Sequence, residues 1–186
     1  MLMRPQAEFE LAARLRRGEA TIGEVYSFIS GLYFRGKVAY SEVFANAPGP
    51  MPPAVVIVPG LGLLPLTALV SLEQLDAIGS VSIERHYQAY RAALLRDARS
   101  LDQQAGPACR FILLGSIATD KYTQPLLDVF GERLAFPADF VGRGDMSRGG
   151  LMLRSARSNV ELAYVPVAGA VRHGARPPKL VPLPRK

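Results

Sequence analysis

Ala54-Val-Val-Ile-Val58, set between Pro53 and Pro59, is the stretch on which the fold class turns. A β-branched run bounded by Pro and Gly reads as a short strand buried on both faces. Two later apolar segments read as strands as well: Arg110-Phe-Ile-Leu-Leu114, and the shorter Leu134-Ala-Phe136. Between the first two, residues 84–103 carry Tyr87, Tyr90, Leu94 and Leu101 at helical spacing, closed by Gly106-Pro107. Between the second and third, residues 120–130 read as a helix around Leu126 and Leu127 that stops at Gly131. Strand, helix, strand, helix, strand is the order that builds parallel crossovers. An α/β fold with a mainly parallel sheet flanked by helices is expected.

Upstream of Ala54 the period is helical. Residues 6–17 place Phe9, Leu11, Ala12 and Leu15 on one side and end at Gly18. Thr21 and Glu24 have capping-box spacing, in which each side chain satisfies a free backbone donor of the other. The helix they open runs through Val25, Phe28, Ile29 and Leu32 and stops near Gly31, and a further helix is predicted over residues 36–45. Ala47-Pro-Gly-Pro-Met-Pro-Pro53 then forms a stiff loop that no helix crosses. Downstream, a Gly-rich loop at 142–150 is followed by a predicted helix over 151–156. Glu161-Leu-Ala-Tyr-Val-Pro166 reads as an edge strand, where Pro is tolerated. The sequence thus predicts one α/β domain over residues 1–171, its first 47 a helical lead packed on it. A basic Pro-rich tail, extended or disordered, follows over 172–186.

The chain has 186 residues, 49% hydrophobic and 20% charged, which is enough for a core of its own and too apolar for a disordered chain. A spanning helix needs ~20 continuous apolar residues. The apolar stretch from 54 to 70 is broken by Pro59, Gly60, Gly62 and Pro65. Glu8, Glu10, Arg14, Arg16 and Arg17 interrupt the beginning of the chain where a signal peptide would be apolar. A soluble cytoplasmic protein without membrane contact is therefore expected. The single cysteine, Cys109, and two histidines make a poor metal set, and no cofactor motif is read. Cys109 has no sequence-adjacent histidine to activate it and reads as inert. The net charge of +6 is uneven: residues 1–141 hold 13 Lys/Arg against 14 Asp/Glu, while residues 142–186 hold 9 Lys/Arg against Asp145 and Glu161. A basic C-terminal quarter attracts polyanions, nucleic acid first among them, unless it serves only as a solvated tail.

In a doubly wound sheet, ligands sit at the carboxyl ends of the strands. Three loops qualify. Pro59-Gly-Leu-Gly-Leu-Leu-Pro65 offers backbone amides at Gly60 and Gly62 but no acid, base or nucleophile. Gly115-Ser-Ile-Ala-Thr-Asp-Lys-Tyr122 opens a helix, and Ser116, Thr119 and Lys121 suit an anion there, the alternative being a simple hydroxyl cap. Gly142-Arg-Gly-Asp-Met-Ser-Arg-Gly-Gly150 is the most informative: Gly142, Gly144, Arg143, Ser147 and Arg148 fit a phosphate, and Asp145 is the candidate catalytic acid or base contact. Its four glycines are expensive to order, which argues for a bound anion, against an internal Arg–Asp pair as the alternative. Tyr33, Arg35 and Lys37 form a basic aromatic cluster, either a base-stacking surface or a core tyrosine flanked by exposed charge. His86 is a candidate base or a structural histidine, and His173 lies in the tail with no catalytic signal.

Phe111-Ile-Leu-Leu-Gly-Ser-Ile-Ala118, then a helix, then Leu134-Ala-Phe-Pro137 and a loop with Arg143 and Ser147, resembles the second half of uracil-DNA-glycosylase-like domains. Val58-Pro-Gly-Leu-Gly-Leu-Leu-Pro65, with His86-Tyr87 downstream, is similar to domains found near tRNA-guanine transglycosylase and archaeosine enzymes. The resemblance covers about residues 54–154. This chain departs from the glycosylase pattern at 60–65, which holds no acidic or amide residue, and at 142–150, which holds no histidine. The resemblance therefore implies an α/β fold and a nucleobase or nucleic-acid ligand more than it implies base excision. The expected function is a nucleic-acid- or nucleotide-binding protein, with action on a nucleobase as its enzymatic extension. The alternatives are a hydrolase or transferase of a small phosphorylated substrate, working through Asp145 or Ser116, and a non-catalytic interaction module docking through its Pro-rich tail.

Overall fold

The computed structural model describes residues 2–4, 6–80 and 87–180. In chain order the elements are α1 (Glu10–Arg16), β1 (Ala20–Thr21), α2 (Ile22–Ile29), α3 (Gly31–Phe44), β2 (Val55–Val58), β3 (Gly62–Pro65), β4 (Leu69–Val70) and α4 (Leu72–Ser80). They continue with α5 (Tyr87–Ala105), β5 (Phe111–Ile112), α6 (Asp120–Phe130), β6 (Leu134–Pro137), α7 (Asp145–Ser158) and β7 (Tyr164–Pro166). The residues group into two compact units, each drawn from two stretches of chain. One holds residues 1–31 and 46–109; the other holds 32–45 and 110–186. No helix among the described residues is long and apolar enough to cross a membrane.

The first unit begins with helices whose ends the sequence marks. Thr21 Oγ1 accepts from the Glu24 amide at 3.3 Å, and the Thr21 amide donates to Glu24 Oε2 at 2.9 Å, so the capping box is formed as predicted. Arg14 donates to both carboxylate oxygens of Glu24, tying α1 to the start of α2. That guanidinium, together with the Thr21 amide, pulls the Glu24 carboxyl down to about 2. Phe9 stacks on Phe28 with ring centres 5.2 Å apart. Leu15, Ile22 and Val25 are fully buried beneath these helices.

Here the sheet differs from the expectation. Val55–Val58 does not join the later strands. It folds back on Gly62–Pro65 as an antiparallel hairpin in register Val58↔Gly62. The reason lies in Gly60 and Gly62, with φ of 80° and 92°: two left-handed glycines around Leu61 reverse the chain within a three-residue turn. Only one face of β2 is fully buried, through Val56 and Val58. Asp97 of α5 accepts from the Leu63 amide at 2.8 Å, and a Cβ on Gly62 would stand 2.0 Å from its Oδ2. Gly62 thus serves the hairpin and the approach of Asp97 together. A second two-stranded pair, β1 with β4, is also antiparallel.

The second unit keeps part of the expectation. β5 and β6 are parallel, Phe111↔Leu134 and Ile112↔Ala135, joined through α6 as read from the sequence. β7 then pairs antiparallel on the other side of β6 and carries Pro166 at the sheet edge. The protein is therefore a mixed α/β fold whose sheets are small and mostly antiparallel, not the mainly parallel sheet predicted. β6 is its central strand and every residue of it is buried. Phe136, Phe140, Ile117, Leu134 and Met152 form the core around it, and Phe111 stacks on Phe130 at 3.7 Å. Tyr40 and Tyr164 hydroxyls meet at 2.5 Å. Tyr40 also accepts from the Leu162 amide, and Tyr164 donates to Glu161 at 2.8 Å.

Candidate functional site

The site grows from a close approach of α3 and α7. A Cβ added to Gly36 would lie 2.7 Å from the Gly149 carbonyl oxygen and 2.9 Å from its Cα. A Cβ on Gly149 would lie 2.7 Å from Leu32 O and 2.8 Å from Tyr33 Cα. The two helices touch backbone to backbone, which only glycine permits. This corrects the reading of residues 142–150 as one loop. The chain is irregular only through Gly144, and Asp145 to Gly150 belong to the first turns of α7. Gly149 needs no ligand to offset its ordering cost, because packing against α3 does so. α7 then runs to Ser158 and ends at Asn159, whose left-handed φ of 51° terminates it.

The contact sets Lys37, the neighbour of Gly36, near Arg148, the neighbour of Gly149. Arg148 is almost wholly inside: its side chain is 8% exposed, and Nε and Nη2 both donate to the Phe140 carbonyl at 3.2 and 3.1 Å. Asp145 Oδ1 stands 3.8 Å from Arg148 Nη1, beyond hydrogen-bond reach, and the Asp145 side chain is 69% exposed. The Lys37 ammonium lies 4.0 Å from the centre of the Tyr33 ring. Burial lowers the Lys37 pKa to about 8; Asp145 opposes this and Arg148 adds to it. Burial raises the Tyr33 hydroxyl, with Arg148 opposing, and that hydroxyl donates to Leu114 O at 3.0 Å. Tyr33 thereby ties α3 to the segment that follows β5. Arg35, the third member of the predicted cluster, is exposed.

Arg143 sits just before α7, where Nη1 donates to Ser147 Oγ at 3.3 Å and to Pro178 O at 3.4 Å. Its Nε is buried and has no hydrogen-bond partner among the described residues. Gly144 is the N-cap of α7 and offers no side chain, so the first-turn amides have no side-chain acceptor. Gly142, with φ 72°, lets the C-terminal segment in: a Cβ there would strike Ala175 O at 2.1 Å.

That segment also reaches the second predicted loop. Arg172 donates to Ile117 O at 3.3 Å, Thr123 Oγ1 at 2.7 Å and Asp120 Oδ1 at 2.8 Å. Residues 172–180 form no helix or strand, and Arg172 at their start is tied to the segment before and at the start of α6. Thr119 is the N-cap of α6 but its hydroxyl makes no capping bond, and Ser116 lies half-buried before it. The Lys121 ammonium stands 5.3 Å from the Tyr122 ring. The loops at 115–122 and 142–144 therefore leave the same ends of two parallel strands and share the C-terminal segment. Gly60 and Gly62 belong to the other unit, in the hairpin turn. His86 lies outside the described residues, His173 is exposed, and Cys109 is a half-buried cysteine, in no disulfide, ahead of β5.

Sequence reading alone separated Lys37 from Arg148 and missed the clamp made by Arg172. No sequence signal marked the first, because Gly36 opens the helix predicted over 36–45 and Gly149 falls in the segment read as a loop. Compared with known proteins, the chain matches no family model, no curated protein and no solved structure.

Proposed function

We propose that the protein binds a phosphate-bearing ligand, a nucleotide or a nucleic acid, through α7 and the segments beside it. The observation that carries the reading is the charge of this region. Arg143, Arg148, Arg154 and Arg157 lie on or just before α7 against one carboxylate, Asp145, and Arg176 and Lys179 follow on the C-terminal segment. Among the described residues, none of Arg154, Arg157, Arg176 and Lys179 is held in an ion pair, whereas Arg14, Arg17, Arg96 and Arg172 each are. Cations left uncompensated on one helix and its flank attract phosphates and are not needed to hold the fold. The resemblance to uracil-DNA-glycosylase-like domains makes a nucleobase the group expected beside the phosphate, with exposed Asp145 the acidic side chain nearest to meet it.

The test is binding of single-stranded and duplex oligonucleotides over a series of salt concentrations. The reading expects affinity to fall log-linearly with salt, and Arg154→Gln with Arg157→Gln to weaken binding and flatten that slope. Absence of binding at low salt, or binding indifferent to salt and to both substitutions, would overturn it.

A further inference from the structure

We propose that residues 173–180 are a strap, anchored at Arg172, that closes over Arg143 and lifts off when an anionic ligand takes that side chain. The proposal rests on the phosphate reading above and concerns how access to that surface is controlled.

The segment follows a defined route. Gly174 runs against Val141, where an added Cβ would lie 2.9 Å from Cγ1. Ala175 and Pro177 run against Gly142: a Cβ there would stand 2.1 Å from Ala175 O and 3.1 Å from Pro177 Cδ. Pro178 O then accepts from Arg143 Nη1, and Leu180 Cδ1 would stand 3.5 Å from a Cβ on Gly150 of α7. The two ends of this route are held very differently. Arg172 pairs with Asp120 at 2.8 Å and donates to Thr123 Oγ1 and Ile117 O as well. Beyond it, residues 173–180 make no main-chain hydrogen bond among the described residues, and the one side-chain bond to them, from Arg143 to Pro178 O, is 3.4 Å long. Pro177 and Leu180 are half-buried and the rest of 173–180 is exposed. A segment with so little backbone bonding and so little burial opens locally at low cost.

The side chain it closes over is poorly satisfied. With the strap in place, Arg143 Nε is buried without a hydrogen-bond partner among the described residues. Both bonds of Arg143 Nη1 go to neutral oxygens, at 3.3 Å to Ser147 Oγ and 3.4 Å to Pro178 O. A buried donor left unpaired carries a cost, and opening removes it by returning water to the guanidinium. A phosphate oxygen offers more than water, because a charge-assisted bond is stronger than the one to a carbonyl. Closing gains the partial burial of Pro177 and Leu180, while opening frees Arg143. A ligand that takes Arg143 binds the open state alone and shifts the balance towards it.

The full chain is followed by NMR through two signals of closure: the sheltered Arg143 Nε–H, and the nuclear Overhauser contact between the Leu180 methyls and the Gly150 α protons. Leu180→Ser should speed Arg143 Nε–H exchange several-fold and leave the amides of β6 unchanged. The variant keeps every cation of the chain, and should bind a single-stranded oligonucleotide about three- to tenfold more tightly than wild type, the equivalent of half a leucine's burial. In an Arg143→Gln background that gain should vanish, since Arg143 is what the strap hides. In wild type, saturating oligonucleotide should abolish the Leu180–Gly150 contact. Binding with that contact intact, a Leu180→Ser protein that binds no tighter than wild type, or a gain that survives Arg143→Gln would overturn the strap while leaving the surface reading in place. If no oligonucleotide binds at low salt, the surface reading falls. The strap then stands if Leu180→Ser speeds Arg143 Nε–H exchange, and falls if that exchange is unchanged.

Discussion

Replacing Gly149 by Ala tests whether backbone contact between α3 and α7 builds the site. The added methyl would sit 2.7 Å from Leu32 O and 2.8 Å from Tyr33 Cα, while ordinary contacts begin near 3.4 Å, so the helices must part by about 0.7 Å. Both obstructing atoms are main chain, and no rotamer change relieves the clash. A gap of that size forfeits a quarter to a half of the dispersion attraction across the interface. Overpacking of this kind costs ~1–3 kcal/mol, and rigid backbone on the far side places it near the top of that range. Alanine's better helix propensity returns about 1 kcal/mol. The net expectation is a loss of about 2 kcal/mol, which at this chain length lowers the melting temperature by roughly 4–8 °C. Gly79 on α4, where an added Cβ meets nothing within 4 Å, is the control: Gly79→Ala should be neutral or stabilising. Gly36→Ala should resemble Gly149→Ala, and the double variant should lose less than the sum, because both break one contact. Thermal and denaturant unfolding measure all four proteins. A Gly149→Ala protein as stable as wild type, with Gly36→Ala fully additive to it, would refute the close-packing argument.

Glu24 ties pH to stability: its carboxyl is held at about 2 against an ordinary 4.5, so its contribution is complete above 4.5 and is lost as pH falls towards 2. Unfolding measured at pH 6, 4 and 2 should show a steeper acid loss in wild type than in Glu24→Gln. Tyr164→Phe removes the hydroxyl between Tyr40 and Glu161 and should cost about 1–2 kcal/mol in denaturant unfolding, with Glu161→Gln milder because Glu161 is exposed. Arg172→Ala should raise amide exchange over residues 117–123 and at 142–144 while leaving the β2–β3 hairpin as protected as in wild type. Unchanged exchange at both loops would mean that the C-terminal segment does not hold them.

Local signals translated well where a short window of chain contains the whole cause. Thr21 and Glu24 satisfy each other three residues apart, residues 120–130 form α6 at the predicted bounds, and Tyr164–Pro166 takes the sheet edge that its proline requires. The glycines of 142–150 misled because glycine has two uses, turning the chain and admitting a neighbour. The choice between them at Gly149 is made by Leu32 and Tyr33, far away in sequence. The same holds for Val55–Val58, whose β-branched run is equally good in a parallel crossover or a hairpin until Gly60 and Gly62 adopt left-handed φ.

The sequence by itself determined that the chain is a mixed α/β protein, where most of its helices and strands lie, and that its positive charge is gathered after residue 141. Those follow from periodicity, caps and composition, which are properties of neighbours along the chain. Only the tertiary structure decided which strands pair, that Asp145 begins a helix, that Lys37 stands near a buried Arg148, and that Arg172 binds the α6 entrance. Each of these is a contact between residues distant in the chain. Such contacts are chosen by which apolar surfaces and unpaired polar groups can be satisfied together, a balance that no local window contains.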